Sequence, residues 1–232
     1  MPVITVSGET ASGAREVGRR VATVLGIDFV DQQLMVQAAR RCGVPVGAVA
    51  EHDERSATFR QRISSTINSM LERSAATGAD PAAGGAGLEA MLSQTYADMA
   101  RPQEEVGVTD KRYLETMSAI IREIAGSGQV VILGRGSQMI LRDNPRVLNV
   151  LCVAPPDVRW MRAAEREGIG LEEAKKQASQ RDQARAAFHR KFWKVDVEDP
   201  RLYDLTVDTS PLSYDVCAEV IAAAARLKAG ES

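Results

Sequence analysis

Residues 3–22 read VITVSGETASGAREVGRRVA, and the class of the whole chain follows from the change of pattern inside that stretch. Val3 to Val6 is a short apolar, β-branched run, which reads as a buried strand. Ser7-Gly8 ends it. Small and polar residues then continue to Gly13. From Arg15 the apolar residues recur at helical steps, with Val17, Val21, Val24 and Leu25 on one side and Arg19 and Arg20 between them. Gly26 is placed to close that helix as a left-handed C-terminal residue. The pattern is therefore strand, glycine-bearing loop, helix.

A strand running into the N-terminus of a helix through such a loop is the setting in which backbone N–H groups and the helix dipole converge on an anion. The spacing Gly8-x-x-x-x-Gly13 fits a phosphate cradle, but the continuation Gly-Lys-Ser/Thr does not. Ala14 stands where a lysine would, and Arg15 where a hydroxyl would. Arg15 supplies positive charge one residue late, and Arg19 follows one turn on. Glu16 and Ser12 are the metal-capable side chains nearby, and nothing in the sequence selects between them. A plain strand-to-helix turn with surface arginines fits the same letters.

The same alternation recurs along the chain. Ile27 to Val30 reads as a second strand, with a helix starting at Asp31. Gln129 to Leu133 (QVVIL) and Val147 to Val153 (VLNVLCV) are continuous apolar strands, the signature of a parallel sheet covered on both faces. A charged helix or helix pair follows over 157–191. Tyr203 to Val207 is a last strand, and 213–227 a closing helix with Val216, Val220 and Ile221 on one face. The expected fold is a doubly wound α/β sheet with a helical insertion over 46–128, in which Phe59 to Leu71 and Tyr113 to Ile124 are amphipathic. Ala75 to Gly87 (AATGADPAAGGAG) reads as a mobile loop.

The whole-chain numbers agree with one globular unit. There are 232 residues, 44% hydrophobic and 26% charged, with a net charge of -2. That balance speaks against a nucleic-acid binder or a polybasic membrane-surface protein. Cys42, Cys152 and Cys217 are isolated, and His52 and His189 are the only histidines, so neither a disulfide framework nor a His-rich metal site is expected. No signal peptide is read at the N-terminus and no membrane span anywhere, and the expected location is cytoplasmic.

Arginines supply the next signal. Gly134-Arg135-Gly136 follows the strand at 129–133, where such folds bind ligands. Arg159 and Arg162 lie three apart after Pro156. Arg181, Asp182 and Arg185 follow on the later helix, with Arg181 and Arg185 on one face and Asp182 placed to pair with Arg185 or to project beside it. Singly these fit a solvated charged face. Together with the first loop they suit phosphoryl transfer, which needs positive charge around the moving group. Phe188, Phe192 and Trp193 read as packing the helical segment on the core. Ser210 or Ser213 reads as the N-cap of the last helix.

These residues carry a resemblance. The stretches VITVSGETASGAREVGRRVA (3–22), GIDFVDQQL (26–34), VVILGRGSQMILRDNPRVLNVLCVAP (130–155), AEREGIGLEEAKKQASQRDQARAAF (164–188) and DPRLYDLTVDTSPLS (199–213) are similar to the cytidylate kinase-like family, relatives of the P-loop nucleoside monophosphate kinases. The more specific parts are Gly134-Arg135-Gly136 and Asp182-x-x-Arg185-Ala186. The resemblance implies a P-loop-type sheet of about five parallel strands in a single domain over 1–232, with an acceptor-side region at 46–128 and a lid-type segment at 157–200. It implies an ATP-dependent phosphotransferase working with Mg²⁺ on a nucleoside monophosphate. ATP is expected at Gly8, Glu9, Thr10, Ala11, Ser12, Gly13, Ala14, Arg15 and Arg159. The acceptor is expected at Asp31, Arg135, Asp182 and Arg185, with Arg135 and Arg185 on its phosphate and Asp182 on its base. Arg15, Arg162 and Arg181 are expected at the transferring group. The chain departs from true cytidylate kinases at Ala14 and Arg15, at Gly136 where they carry an aspartate, and at Gln32-Gln33 where they carry serine-glycine. A nucleotide-binding regulator without turnover and a kinase of a non-nucleotide metabolite are the alternatives.

Overall fold

The computed structural model describes residues 2–33, 35, 90–99 and 108–230. The amphipathic run at 59–71, the glycine- and alanine-rich segment at 75–87, Cys42 and His52 lie outside those residues, as does most of the expected insertion at 46–128.

Five strands form one sheet: β1 (Val3–Gly8), β2 (Asp28–Val30), β3 (Val130–Leu133), β4 (Val147–Val153) and β5 (Leu205–Asp208). Their order is β2-β3-β1-β4-β5, and every neighbouring pair is parallel. The helices are α1 (Ala14–Leu25), α2 (Tyr96–Met99), α3 (Val108–Gly126), α4 (Ser137–Ile140), α5 (Pro156–Glu167), α6 (Leu171–Trp193) and α7 (Tyr214–Ala229). Between α5 and α6 the chain turns at Gly168, which is left-handed with φ 65°, so the expected charged segment is two helices.

Alternate residues of each strand feed two cores, as a sheet covered on both faces requires. Ile4, Val6, Val131, Val150 and Cys152 pack with Val17 and Val21 of α1 and with Cys217 and Ile221 of α7. Val3, Val130, Ile132 and Val147 pack on the opposite face with Met117, Ile120 and Ile121 of α3 and with Phe188 of α6. Phe192 and Trp193 pack against that second core. Cys152 and Cys217 are both buried and unpaired.

Helix α7 differs from its reading. Val216 and Val220 are 48% and 46% exposed. The buried stripe is Cys217, Ala218, Ile221, Ala222 and Ala225. Small side chains let α7 pack closely on α1 and the sheet, and weighting the large apolar residues rotated the expected face. Ser213 is the N-cap, its side chain accepting from the Val216 N–H. Ser210 instead turns back on Asp208, to which its N–H and hydroxyl both donate. Among the described residues no helix is long and apolar enough to cross a membrane.

Candidate active site

β1 lies at the centre of the sheet. The chain leaves it toward β2 on one side and β4 joins it on the other, so the end of β1 is the switch point where such sheets bind ligands. A cleft of about 230 Å³ opens there. Its walls include Ser7 to Glu9 and Ala11 to Glu16, Asp31 and Gln32 after β2, Gly134 and Arg135 after β3, and Arg185 from α6.

The loop owes its shape to local geometry. Ala11 and Gly13 are left-handed, at φ 60° and 82°. Ser12 N–H donates to the Glu9 carbonyl at 3.1 Å. No side chain caps the N-terminus of α1, which leaves its first-turn N–H groups to the cleft. A Cβ on Gly8 would meet Ser12 Oγ, and the Cys152 carbonyl at 2.7 Å. One on Gly13 would meet the Tyr214 ring at 2.6 Å. Both glycines are there for close approach.

Three elements hold the loop from behind. Thr209, fully buried after β5, donates its hydroxyl to the Ser12 carbonyl at 2.7 Å. Arg162 braces Thr209 through Oγ1 and the carbonyl at 2.9 and 2.8 Å and lies over the Tyr214 ring. Asp182 accepts the Thr10 N–H at 2.7 Å with one oxygen and Arg159 at 2.7 Å with the other. Arg159 also reaches the Thr10 carbonyl at 3.1 Å and Glu9 at 2.9 Å. Burial raises the Glu9 carboxyl above its ordinary value, against the pull of Arg159.

The structure thus divides the expected residues. Gly8, Glu9, Ala11 to Arg15, Asp31, Arg135 and Arg185 line one cleft. Thr10, Arg159 and Asp182 form a half-buried clamp on the loop, with Asp182 paired to Arg159 rather than to Arg185. Arg162 is a brace behind the loop. Arg181 is half exposed and gripped by Glu167 at 2.6 and 3.1 Å. Hydrogen bonds from Arg181 and then Arg166 hold the Glu167 carboxyl down at about 2. Arg181 and Arg185 therefore face different surroundings despite their spacing. Arg15 is tied to Asp31 at 3.0 Å.

Arg135 sits between two left-handed glycines and is itself left-handed at φ 58°. Trp193 packs where a side chain on Gly136 would be, so the aspartate of true cytidylate kinases has no room here. The Arg135 side chain donates to the Gln94 carbonyl at 2.6 Å and to the Tyr113 hydroxyl at 3.0 Å, and one terminal nitrogen, buried, has no partner. Arg185 donates to the Ser7 hydroxyl at 3.2 Å, and its other terminal nitrogen is likewise buried without a hydrogen bond. Sequence reading missed Thr209 as a loop anchor, Arg166 on the cleft wall, and Tyr96, whose hydroxyl accepts the Arg135 N–H at 2.7 Å.

His189 links the two arginine carriers. The Arg185 carbonyl can only accept, so Nδ1 donates to it at 2.8 Å and Nε2 accepts from Gln138 on α4 at 2.9 Å. Burial pushes the His189 pKa down to about 4. The unfolded chain, titrating near 6.5, takes up this proton first, so stability is full above about pH 6.5 and falls as pH drops toward 4. The expected loss over that window is about 3 kcal/mol. Urea unfolding at pH 7 and 4.5 should show a flatter pH dependence for His189→Asn than for the parent chain. Equal slopes would remove His189 as the titrating group.

Residues 3–211 match the cytidylate kinase-like family. The chain belongs to that family. Cytidylate kinase of Methanopyrus kandleri is 33% identical over 111 residues, covering 44% of this chain and 58% of that protein, so the chain spans little more than half of that relative's length. Cytidylate kinase of Aeropyrum pernix is 32% identical over 132 residues, covering 57% and 74% of the two chains. That of Archaeoglobus fulgidus is 22% identical over 226 residues, covering 97% and 95%. The crystal structure of an uncharacterized protein from Eubacterium ventriosum shares the fold, with TM-score 0.63, 16% identity, and 97% and 98% of the chains covered. The five-stranded parallel sheet is the α/β scaffold that the resemblance implied.

Proposed function

We propose that the chain transfers the γ-phosphoryl of ATP to a small phosphorylated acceptor, a nucleoside monophosphate of the cytidine type in the first instance. The observation that carries this is the meeting, in one cleft, of a loop at an uncapped helix N-terminus with two buried arginines that each keep a terminal nitrogen without a hydrogen bond. Buried donors without acceptors are uncommon. Two of them beside an anion cradle fit phosphate groups.

The residues fit the nucleotide. Gly8 and Gly13 let the loop pack closely on Cys152 and Tyr214, and the α1 N-terminus favours the charge of a triphosphate. Among the described residues no cluster of three or more His, Cys, Asp or Glu stands ready for a metal. Magnesium would therefore come in on the phosphates, with Ser12 and Glu16 as the protein oxygens on the cleft wall. When bound, it would neutralise charge on the phosphate oxygens. In the transfer, an acceptor phosphate oxygen forms the new bond to the γ-phosphorus as the bond to the bridging oxygen breaks, and ADP leaves with the electron pair. The chain positions both partners and offers charge, with no covalent step of its own. Arg135 holds the acceptor's phosphate, while Arg159 and Asp182 keep the loop in shape.

ADP release from Mg-ATP, with CMP, dCMP, UMP, AMP and GMP offered in turn, tests this. Acceptor-dependent release is expected. Arg135→Lys should raise the acceptor KM roughly tenfold or more, the scale of a lost charged hydrogen bond, with little change in the ATP KM. Release with none of the five, while ATP binds, would overturn the monophosphate reading and favour a regulator. Ala14 in the place of the lysine is the feature that supports that rival.

A further inference from the structure

The loop lacks its lysine, yet the same cleft holds a cation on another wall. A Cβ on Gly8 would lie 3.0 Å from the Ala14 side chain, so position 14 faces the start of the loop. Arg185 reaches that same start from the opposite wall, through its bond to Ser7, the residue before Gly8. The other cations around the loop are committed, Arg166 among them to Glu167 at 3.0 Å. Arg15 is paired with Asp31 at 3.0 Å and bonded to Gln33 at 3.4 Å. Arg159 is held by two carboxylates at 2.9 and 2.7 Å. Arg162 is spent on Thr209. Arg185 has one hydroxyl and, at 4.0 Å, the half-exposed Glu198. Its guanidinium is 6% exposed, and the nitrogen facing Glu198 makes no hydrogen bond.

We propose that Arg185 takes over the work of the absent loop lysine, placing its charge on the β- and γ-phosphates of ATP from helix α6 rather than on the acceptor. This rests on the phosphotransferase reading above and changes one assignment that the family resemblance implied. A bidentate guanidinium suits the task, because it can keep Ser7 and still present a free edge to phosphate oxygens. Anchoring by Ser7 fixes the guanidinium at the loop, and the Nδ1–H of His189 holds the carbonyl of the same residue.

The test is calorimetric titration of the full chain with Mg-ATP and, separately, with CMP. Arg185→Gln is expected to weaken Mg-ATP binding roughly tenfold or more and to leave CMP within about twofold. Arg185→Lys should keep most of the ATP affinity. The decisive variant is Ala14→Lys placed in the Arg185→Gln background, which should restore ATP binding by returning the charge to the loop. Circular dichroism and urea midpoints confirm that each variant is folded. Loss of CMP affinity with ATP spared in Arg185→Gln would overturn the proposal in favour of an acceptor role. So would a double variant that binds ATP no better than Arg185→Gln. A parent chain that turns over while Arg185→Gln binds ATP normally sinks this inference alone. A parent chain that fails to bind ATP sinks the phosphotransferase reading with it.

Discussion

Asp182→Ala is expected to lower the unfolding free energy by about 3–5 kcal/mol, the range for removing one partner of a buried ion pair. Arg159 and Asp182 are 6% and 15% exposed and meet at 2.7 Å. The other oxygen of the carboxylate accepts the Thr10 N–H at 2.7 Å. Alanine would leave a guanidinium with Glu9 as its remaining carboxylate, and a loop N–H with no acceptor. The cost comes mainly from the orphaned groups, so it should shrink when both are removed. Arg159→Met with Asp182→Leu should cost less than Asp182→Ala alone, because no guanidinium stripped of one carboxylate is then buried. The Glu9 carboxyl, which burial already raises, would be raised further without the pull of Arg159. Urea unfolding of the variants decides the matter. A loss below about 1 kcal/mol for Asp182→Ala would class the pair with solvated surface bridges and end the clamp interpretation.

The clamp also explains why these roles were hard to place in advance. Backbone contacts are invisible to side-chain spacing. Asp182 and Arg185 are three apart on one helix, which suggested a mutual pair. The partner of Asp182 is instead Arg159, 23 residues earlier on a different helix, together with the backbone of Thr10. Arg181 and Arg185 share a helix face by spacing, but one meets Glu167 at the surface and the other Ser7 at the carboxyl end of β1. Each arginine's environment is set by where α5 and α6 cross the sheet, and periodicity does not carry that information.

The fold itself was legible because the strands state it directly. VITV, QVVIL and VLNVLCV are continuous apolar runs, and only a sheet covered on both faces buries such runs completely. Glycines marked the loop, the left-handed turn at 134–136 and the end of α1, since few other residues take positive φ. Strand order was beyond reach, because parallel pairing joins Val3 to both Val130 and Val147 across more than half the chain. Thr209 escaped for the same reason. A threonine after a strand is ordinary until β5 is known to end beside Ser12.

Gly8→Ala should cost the loop its ligand. The added methyl would meet Ser12 Oγ, which can rotate away, and the Cys152 carbonyl at 2.7 Å, which cannot. Gly8 is paired in register with Cys152, so relief requires parting β1 from β4 at the mouth of the cleft. Overpacking of this kind typically costs about 1–3 kcal/mol, and here the displaced backbone is the loop proposed to cradle phosphate. ATP affinity is therefore expected to fall by roughly tenfold or more, since 1.4 kcal/mol of distortion carried into binding suffices for one decade. Gly26→Ala is the matched control. Gly26 is also strained for other residues, at φ 65°, but a Cβ there would meet nothing within 4 Å. It should lose about 1–2 kcal/mol of stability and bind Mg-ATP as the parent does. Comparing the two separates general destabilisation from damage to the cradle. If Gly8→Ala binds Mg-ATP as tightly as Gly26→Ala, the close approach at Gly8 serves strand packing alone, and the triphosphate must lie elsewhere in the cleft.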